Sequence, residues 1–212
     1  MTFLQCCKVN RRMFKNGSRQ PSHQFEKGKR AMAVRKRHVR EVAETLLQEF
    51  GIATAPVDIE GLARHMGIEV RFENVDDKLS GFLFRDVKAK KAIIGVNGSH
   101  HVNRRRFTIA HELGHYLLHP GEPVHVDGAD VAFRLNRRDQ DSSTGHDDSE
   151  REANLFAAEL LMPAHFLERD LQSADIDLLN DGDVGHLAQR YAVSAQALTF
   201  RLANLGYISI NP

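Results

Sequence analysis

The chain has 212 residues, of which 42% are hydrophobic and 27% are charged, so it can bury one real core with at most a small appendage. No apolar run approaches the roughly 18–20 residues of a membrane-spanning helix, which excludes a helical membrane protein. The two cysteines, Cys6 and Cys7, are adjacent. This excludes a disulfide framework and predicts a reducing, cytoplasmic environment.

The amino end of the chain is strongly basic, although the net charge is only +1. Residues 1–40 contain 12 of the 29 Lys and Arg residues, but Glu26 is their only acidic residue. Because hydrophobic periodicity is absent through about residue 30, we predict that residues 1–37 are disordered. A solvated tail is the favoured interpretation. A basic arm that touches nucleic acid and an internal start at Met32 are the alternatives.

The folded part is predicted to begin near His38 with two amphipathic helices, which end at Gly51 and Gly67. Three predicted strands follow, at residues 68–72, 79–85 and 91–97. Since the connections between them are short, we expect an antiparallel meander. One strand of this sheet could border the functional cleft and hold an extended peptide by strand addition.

A helix over about residues 102–119 carries the motif His111-Glu112-x-x-His115. Residues four apart lie on one face of a helix, so the imidazoles of His111 and His115 can bind one cation while Glu112 points about 100° away. Two neutral imidazoles suit Zn²⁺, and a carboxylate outside the coordination sphere can act as a general base. The motif therefore predicts one zinc ion per chain with Glu112 as the catalytic residue.

The third zinc ligand is sought in the helix that follows a long polar loop, residues 120–148, which is expected to face the substrate or to be disordered. Ser149 and Glu152 form a capping-box pattern at the start of this helix, which gives Glu152 a structural role. Glu150 lies on the face of the small residues that would let the helix approach the zinc helix closely. We therefore predict Glu150 as the third ligand beside an open position for water, with Glu152 as the fallback.

Two further side chains are predicted to act behind the ligands. Asn154, one turn after Glu150, could hold the free ring nitrogen of a ligating histidine. His119 lies about 6 Å along the helix axis from His115, so a helix-end or supporting role is favoured over metal ligation.

The carboxyl end, residues 166–212, has a helix-turn-helix pattern in which Ser194 caps the second helix. A DNA-reading helix would need several basic residues, and this one offers only Arg201. Core packing or substrate docking is therefore favoured over DNA binding.

The two motifs together resemble those of the ImmA/IrrE family of zinc metallopeptidases. The residues that carry the resemblance are Phe107-Thr108-Ile109-Ala110 before the zinc motif and Glu150-x-x-Ala153-Asn154-x-Phe156-Ala157-Ala158-x-Leu160-Leu161-Met162-Pro163 after it. The resemblance implies a gluzincin-like fold and limited proteolysis of helix-turn-helix repressors, in phage or mobile-element induction and stress responses. By position, it implies His111 and His115 as zinc ligands, Glu112 as general base and Glu150 as the glutamate of the Glu-x-x-Ala motif.

Many members of that family carry an amino-terminal helix-turn-helix, and the residues before His38 do not fit one, so direct nucleic-acid binding is not expected. The predicted fold is α+β and zincin-like, with a small antiparallel sheet packed on the zinc-binding helices and a C-terminal helical unit. The predicted domains are a basic segment (1–37), a metallopeptidase domain (38–165) and a helical unit (166–212).

The predicted function is that of a cytoplasmic zinc endopeptidase that cleaves a protein substrate, a helix-turn-helix transcriptional repressor. The first alternative is a non-catalytic regulatory or antitoxin-like binding protein that keeps the fold. A second alternative, a purely structural zinc site, is disfavoured because three ligands are visible and structural sites usually have four. The sequence leaves the oligomeric state open.

Overall fold

The computed structural model describes residues 34–86, 88–120, 124–128, 145–173 and 176–209. Its elements are α1 (Lys36–Glu49), α2 (Ile59–His65), β1 (Ile68–Glu73), β2 (Leu79–Asp86), β3 (Lys91–Asn97), α3 (Val102–Leu118), β4 (Val124–Gly128), α4 (Gly145–Leu161), α5 (Ala164–Ser173), α6 (Asp181–Tyr191) and α7 (Ala195–Asn204). The predicted α+β class is confirmed. Disorder is predicted for residues 1–37. Of these, residues 1–33 lie outside the described residues.

The sheet has four strands in the order β1-β3-β2-β4. Strand β3 pairs antiparallel with β2 but parallel with β1, where Ile68 lies opposite Ala92. The predicted antiparallel meander is therefore wrong for β1, and the sheet is mixed. The reason is that β1 and β2 are not neighbours in the sheet. The connection from β1 to β2 leaves a gap of one strand, and β3 fills this gap.

The burial of β3 explains its central place. Five of its residues are buried, on both faces of the strand, as expected for a strand covered from both sides. The crossover from β1 to β2 is held by Asn97 at the end of β3, whose side-chain amide donates to the carbonyl oxygens of Val75, Asp76 and Leu79 at 3.3, 3.1 and 2.9 Å.

The loop predicted for residues 120–148 is shorter than expected. Residues 124–128 form β4, which pairs antiparallel with β2 and extends the sheet. Helix α4 begins at Gly145, four residues before Ser149. The capping box predicted at Ser149 is therefore wrong, because that residue lies inside the helix. Residues 129–144 of the predicted loop lie outside the described residues.

Two glycines let α3 approach its neighbours closely. A Cβ atom at Gly81 of β2 would lie 2.5 Å from Thr108 Cγ2, and one at Gly114 would lie 3.0 Å from the Cα of Ala153. The contact at Gly81 is closer than real Cβ atoms come, and the contact at Gly114 is tighter than most, so a larger residue at either position would push the neighbouring element away. The predicted close approach of the two helices through small residues is confirmed, with Ala153 and Ala157 fully buried.

The carboxyl-terminal helices pack onto α4 through buried polar groups. Arg201 of α7 is 2% exposed and donates to Glu159 and to the Met162 carbonyl oxygen. Ser194 caps α7 as predicted, accepting from the Ala197 backbone N–H at 3.1 Å. Since Arg201 faces the core, the one basic residue of the predicted recognition helix is not presented to DNA. Within the described ranges, none of the helices combines the length and apolar character needed to cross a membrane.

Candidate metal centre

Helix α3 brings the motif residues together in the core. His111, Glu112 and His115 are all buried, and Glu112 is 0% exposed. The Nε2 atoms of His111 and His115 are 3.0 Å apart. The helical spacing therefore places both imidazoles at one point, as the motif predicts.

Helix α4 adds Glu150 to this pair. Its Oε2 lies 3.4 Å from His111 Nε2, and its Oε1 lies 3.3 Å from His115 Nε2. The structure thus brings together the three predicted ligands. Their role as ligands stays a prediction.

Strand β4 supplies a fourth group that the sequence analysis did not name. His125 is buried, and its Nε2 lies 3.1 Å from Glu150 Oε1. Its ring stacks on that of His115, with 3.7 Å between centroids and 28° between planes. The alternation Val124-His125-Val126 is compatible with a strand that has one inward-facing residue, but three residues are too few to predict one.

Hydrogen bonds behind the rings determine which nitrogens carry protons. Asn154 Oδ1 lies 3.1 Å from His111 Nδ1 and can only accept, so His111 donates from Nδ1. This is the contact predicted for Asn154. In a neutral His111, the Nε2 atom then carries no proton, and its lone pair faces the cluster.

His115 is oriented by a longer chain of contacts. His119 Nε2 donates to Glu152 Oε2 at 3.0 Å, which leaves its Nδ1 to accept from His115 Nδ1 at 3.2 Å. Glu152 is held in turn by Arg35, whose side chain reaches Oε2 at 2.6 Å. His119 has the supporting role predicted for it. Glu152, the fallback ligand, lies behind the cluster with these partners.

The pKa values of His115 and Glu150 determine the charges of these two side chains. Burial, with a smaller contribution from His111 and His125, lowers the pKa of His115 to about 3 and outweighs its hydrogen bond to Glu150. Burial would raise the pKa of Glu150, but hydrogen bonds from the three histidines hold it well below its usual range. His115 is therefore neutral at physiological pH and Glu150 is a carboxylate, which is the protonation state that metal ligands need.

The donor set fits a divalent cation. Ligand atoms from His111, His115, His125 and Glu150 all lie within 4.8 Å of one another. Donors bound tetrahedrally to zinc at 2.0–2.1 Å lie about 3.3 Å apart, and four of the contacts among these side chains are 3.0 to 3.4 Å long.

The chain is similar to a known protein family and to two known proteins. The family model of the IrrE N-terminal-like domain, Peptidase_M78, matches residues 63–203. The uncharacterized immunity region protein 2 of Bacillus phage phi105 is 30% identical over 132 residues, which are 59% of this chain and 75% of that protein. A Mycobacterium tuberculosis transcriptional regulator is similar in fold, with a TM-score of 0.54 and 21% identity over 79% of this chain. The chain spans 46% of that regulator's length.

Proposed function

We propose a function from the premise that the chain belongs to the IrrE N-terminal-like peptidase family, Peptidase_M78. Membership confirms the resemblance to the ImmA/IrrE family that the motifs predicted. The proposed activity is that of a zinc-dependent endopeptidase that cleaves a protein substrate. The observation that supports it is the convergence of His111, His115 and Glu150 on one point, next in the chain to the buried Glu112.

In this proposal His111, His115 and Glu150 would hold a zinc ion, which would supply Lewis-acid chemistry at the scissile carbonyl and a water of lowered pKa. Glu112 takes the proton of that water while the water oxygen bonds to the carbonyl carbon. The carbon–nitrogen bond then breaks, and Glu112 delivers the proton to the leaving amine. Because Glu112 is buried in α3, its carboxylate is kept in place without reorganisation.

Strand β4 is the proposed docking edge for the substrate. Among the described strands it pairs only with β2, and it carries His125 into the cluster. An extended peptide can add to such an edge through main-chain hydrogen bonds. This would bring a scissile bond next to the metal without demanding a particular sequence.

The proposed substrate class is a helix-turn-helix transcriptional repressor, and the proposed location is the cytoplasm. The family resemblance implies this class, and the phage relative is described as an immunity region protein, which is compatible with it. The role in phage, mobile-element or stress regulation is part of the same proposal.

One observation favours a second candidate, a non-catalytic regulatory or antitoxin-like binding protein. The cluster contains four possible protein ligands, and zinc sites closed by four ligands are usually structural. Such a protein would act by association and would keep the fold and the metal.

The substitution Glu112→Gln separates the two candidates. For the enzyme, we expect cleavage of a repressor encoded beside this chain to fall by about 10²–10⁴-fold, since the general base is lost. Zinc content and melting temperature should stay unchanged. Cleavage is followed by intact-protein mass spectrometry, with the exposed Glu44→Gln on α1 as the matched control.

If Glu112→Gln relieves repression as well as the wild type does, the protein works by binding and the proposed peptidase activity is wrong.

A further inference from the structure

The fourth donor, His125, raises a conflict with catalysis. A catalytic zinc site keeps one position open for water or substrate, whereas four protein ligands close the site. His125 Nε2 lies 3.1 Å from Glu150 Oε1, and the donors of the predicted ligands are separated by similar distances. The placement of His125 is therefore that of a ligand. A productive site that stays four-coordinate requires that one of the four donors leaves.

The way each donor is held indicates which one can leave. His111 and His115 lie on α3, where Ile109, Ala110 and Leu113 are 0% exposed. His125 lies on β4 between Val124 and Val126, which are 50% and 62% exposed. Because β4 buries so little apolar surface around its histidine, separating it from the cluster costs little compared with moving α3.

Hydrogen-bonded partners also hold the two rings on α3. His111 is held by Asn154, and His115 is held through His119 and Glu152. These contacts keep the two α3 rings aimed at the metal position. His125 is positioned by its strand and by stacking on His115, so a shift of β4 moves it directly.

We propose that His125 is a displaceable fourth ligand, which closes the metal site at rest and yields its position to the substrate. A peptide that pairs with β4 would shift the strand and withdraw His125 from the metal. The site would then gain the open position that hydrolysis needs. The displacement by substrate rests on the proposed peptidase function, whereas the ligand number at rest does not.

The ligands can be counted without any activity assay. In the cobalt-substituted protein, each coordinated imidazole contributes one strongly shifted ring N–H signal to the proton NMR spectrum. We expect three such signals in the wild type and two in His125→Ala. The exposed His38→Ala on α1 is the matched control and should keep three. Two signals in the wild type would overturn the proposal, and this result needs no variant to fold.

Displacement is tested with a dipeptide hydroxamate, a probe that binds zinc or cobalt through two oxygens. We expect the wild type to lose one shifted N–H signal when the probe is added, leaving the spectrum with two. Three remaining signals, or failure of the probe to bind the metal, would show that His125 is a fixed ligand and would overturn the proposal.

Kinetics separate this role from a direct catalytic one. A displaceable ligand predicts that His125→Ala binds zinc about 10-fold or more weakly in chelator competition. A histidine that stabilises the developing oxyanion would instead lower kcat by about 10²–10³-fold, which would overturn the proposal. Failure of the peptidase function would be seen separately. In that case Glu112→Gln would relieve repression as well as the wild type does, while the wild type would still give three shifted N–H signals.

Discussion

Helix α4 carries two glutamates, one in each half, that meet opposite kinds of partner. At its amino half, Glu150 faces the rings of His111, His115 and His125. At its carboxyl half, Glu159 faces the guanidinium groups of Arg201 and Arg40. The first carboxylate lies among side chains that bind cations, and the second lies among side chains that are cations.

The difference shows how partners decide what a buried carboxylate does. Arg201 and Arg40 satisfy Glu159 with permanent positive charges, so this group ties α7 and α1 to α4. Glu150 meets imidazoles that can present lone pairs, so its negative charge is left for a metal ion. One end of the helix is therefore a structural ion pair, and the other is a site that gains stability when a cation binds.

The largest expected effect is the loss of zinc in Glu150→Ala. Because this substitution removes a predicted ligand, we expect zinc affinity to fall by more than the roughly 10–100-fold that the loss of an outer-shell partner costs. The purified protein should lose the one equivalent that the wild type keeps under mild chelation. Elemental analysis measures this.

Glu152→Ala is the control for Glu150→Ala, since Glu152 lies on the same helix but pairs with Arg35 and His119. It should keep its zinc. Equal zinc content in the wild type and both variants would show that Glu150 is not a ligand. The contrast between Glu150 and Glu159 would then be wrong.

The second prediction concerns the other end of α4. Glu159→Gln leaves the buried Arg201 without its charged partner, so we expect the free energy of unfolding to fall by about 3–5 kcal/mol while zinc binding is kept. Urea denaturation of the metal-free protein measures this change. Glu41→Gln, which removes an exposed ion pair with Arg37 on α1, should cost about 0.5 kcal/mol or less.

The contribution of Glu159 to stability should also depend on pH. Burial would raise the pKa of Glu159, but hydrogen bonds and charges of Arg201 and Arg40 outweigh it, so its folded pKa lies below the ordinary 4.5. The unfolded chain then takes up the proton at the higher pH. The stability difference between wild type and Glu159→Gln should be fully present above about pH 4.5 and shrink as the pH falls further. A difference that grows on acidification would contradict this.

The smallest expected effect is that of Asn154→Ala, which removes the acceptor behind His111. We expect zinc affinity to fall by about 10–100-fold, since the ring is no longer held with Nε2 toward the metal. Chelator competition measures this change. Asn154→Asp keeps an acceptor at the same place and should retain most of the affinity. An equal loss in both variants would show that this contact does not orient the ligand.

The elements at the site differ in how far they could be predicted. His111, Glu112 and His115 follow from helical spacing, and the approach of α4 follows from its small residues. The function of Glu152 could not be read in this way. The sequence analysis assigned it to a capping box with Ser149, whereas its partner Arg35 lies 117 positions away in the chain.

The sheet and the fourth donor could not be derived locally either. The short connections favoured an antiparallel meander, but β3 lies between β1 and β2 because its buried faces require cover on both sides. His125 was assigned to a polar loop, and it enters the cluster only because β4 pairs with β2, opposite Leu83. A five-residue strand has too little pattern of its own to be recognised without its partner.

The sequence by itself determined the metal-binding motif, the general-base candidate, the helix that carries Glu150 and the family. These depend on spacings within one helix, where neighbours in space are neighbours in the chain. The tertiary structure alone decided the strand order, the partners of Glu152 and Glu159 and the placement of His125 among the donors. Each of these depends on contacts between distant segments, whose energies come from burial and pairing that no local pattern encodes.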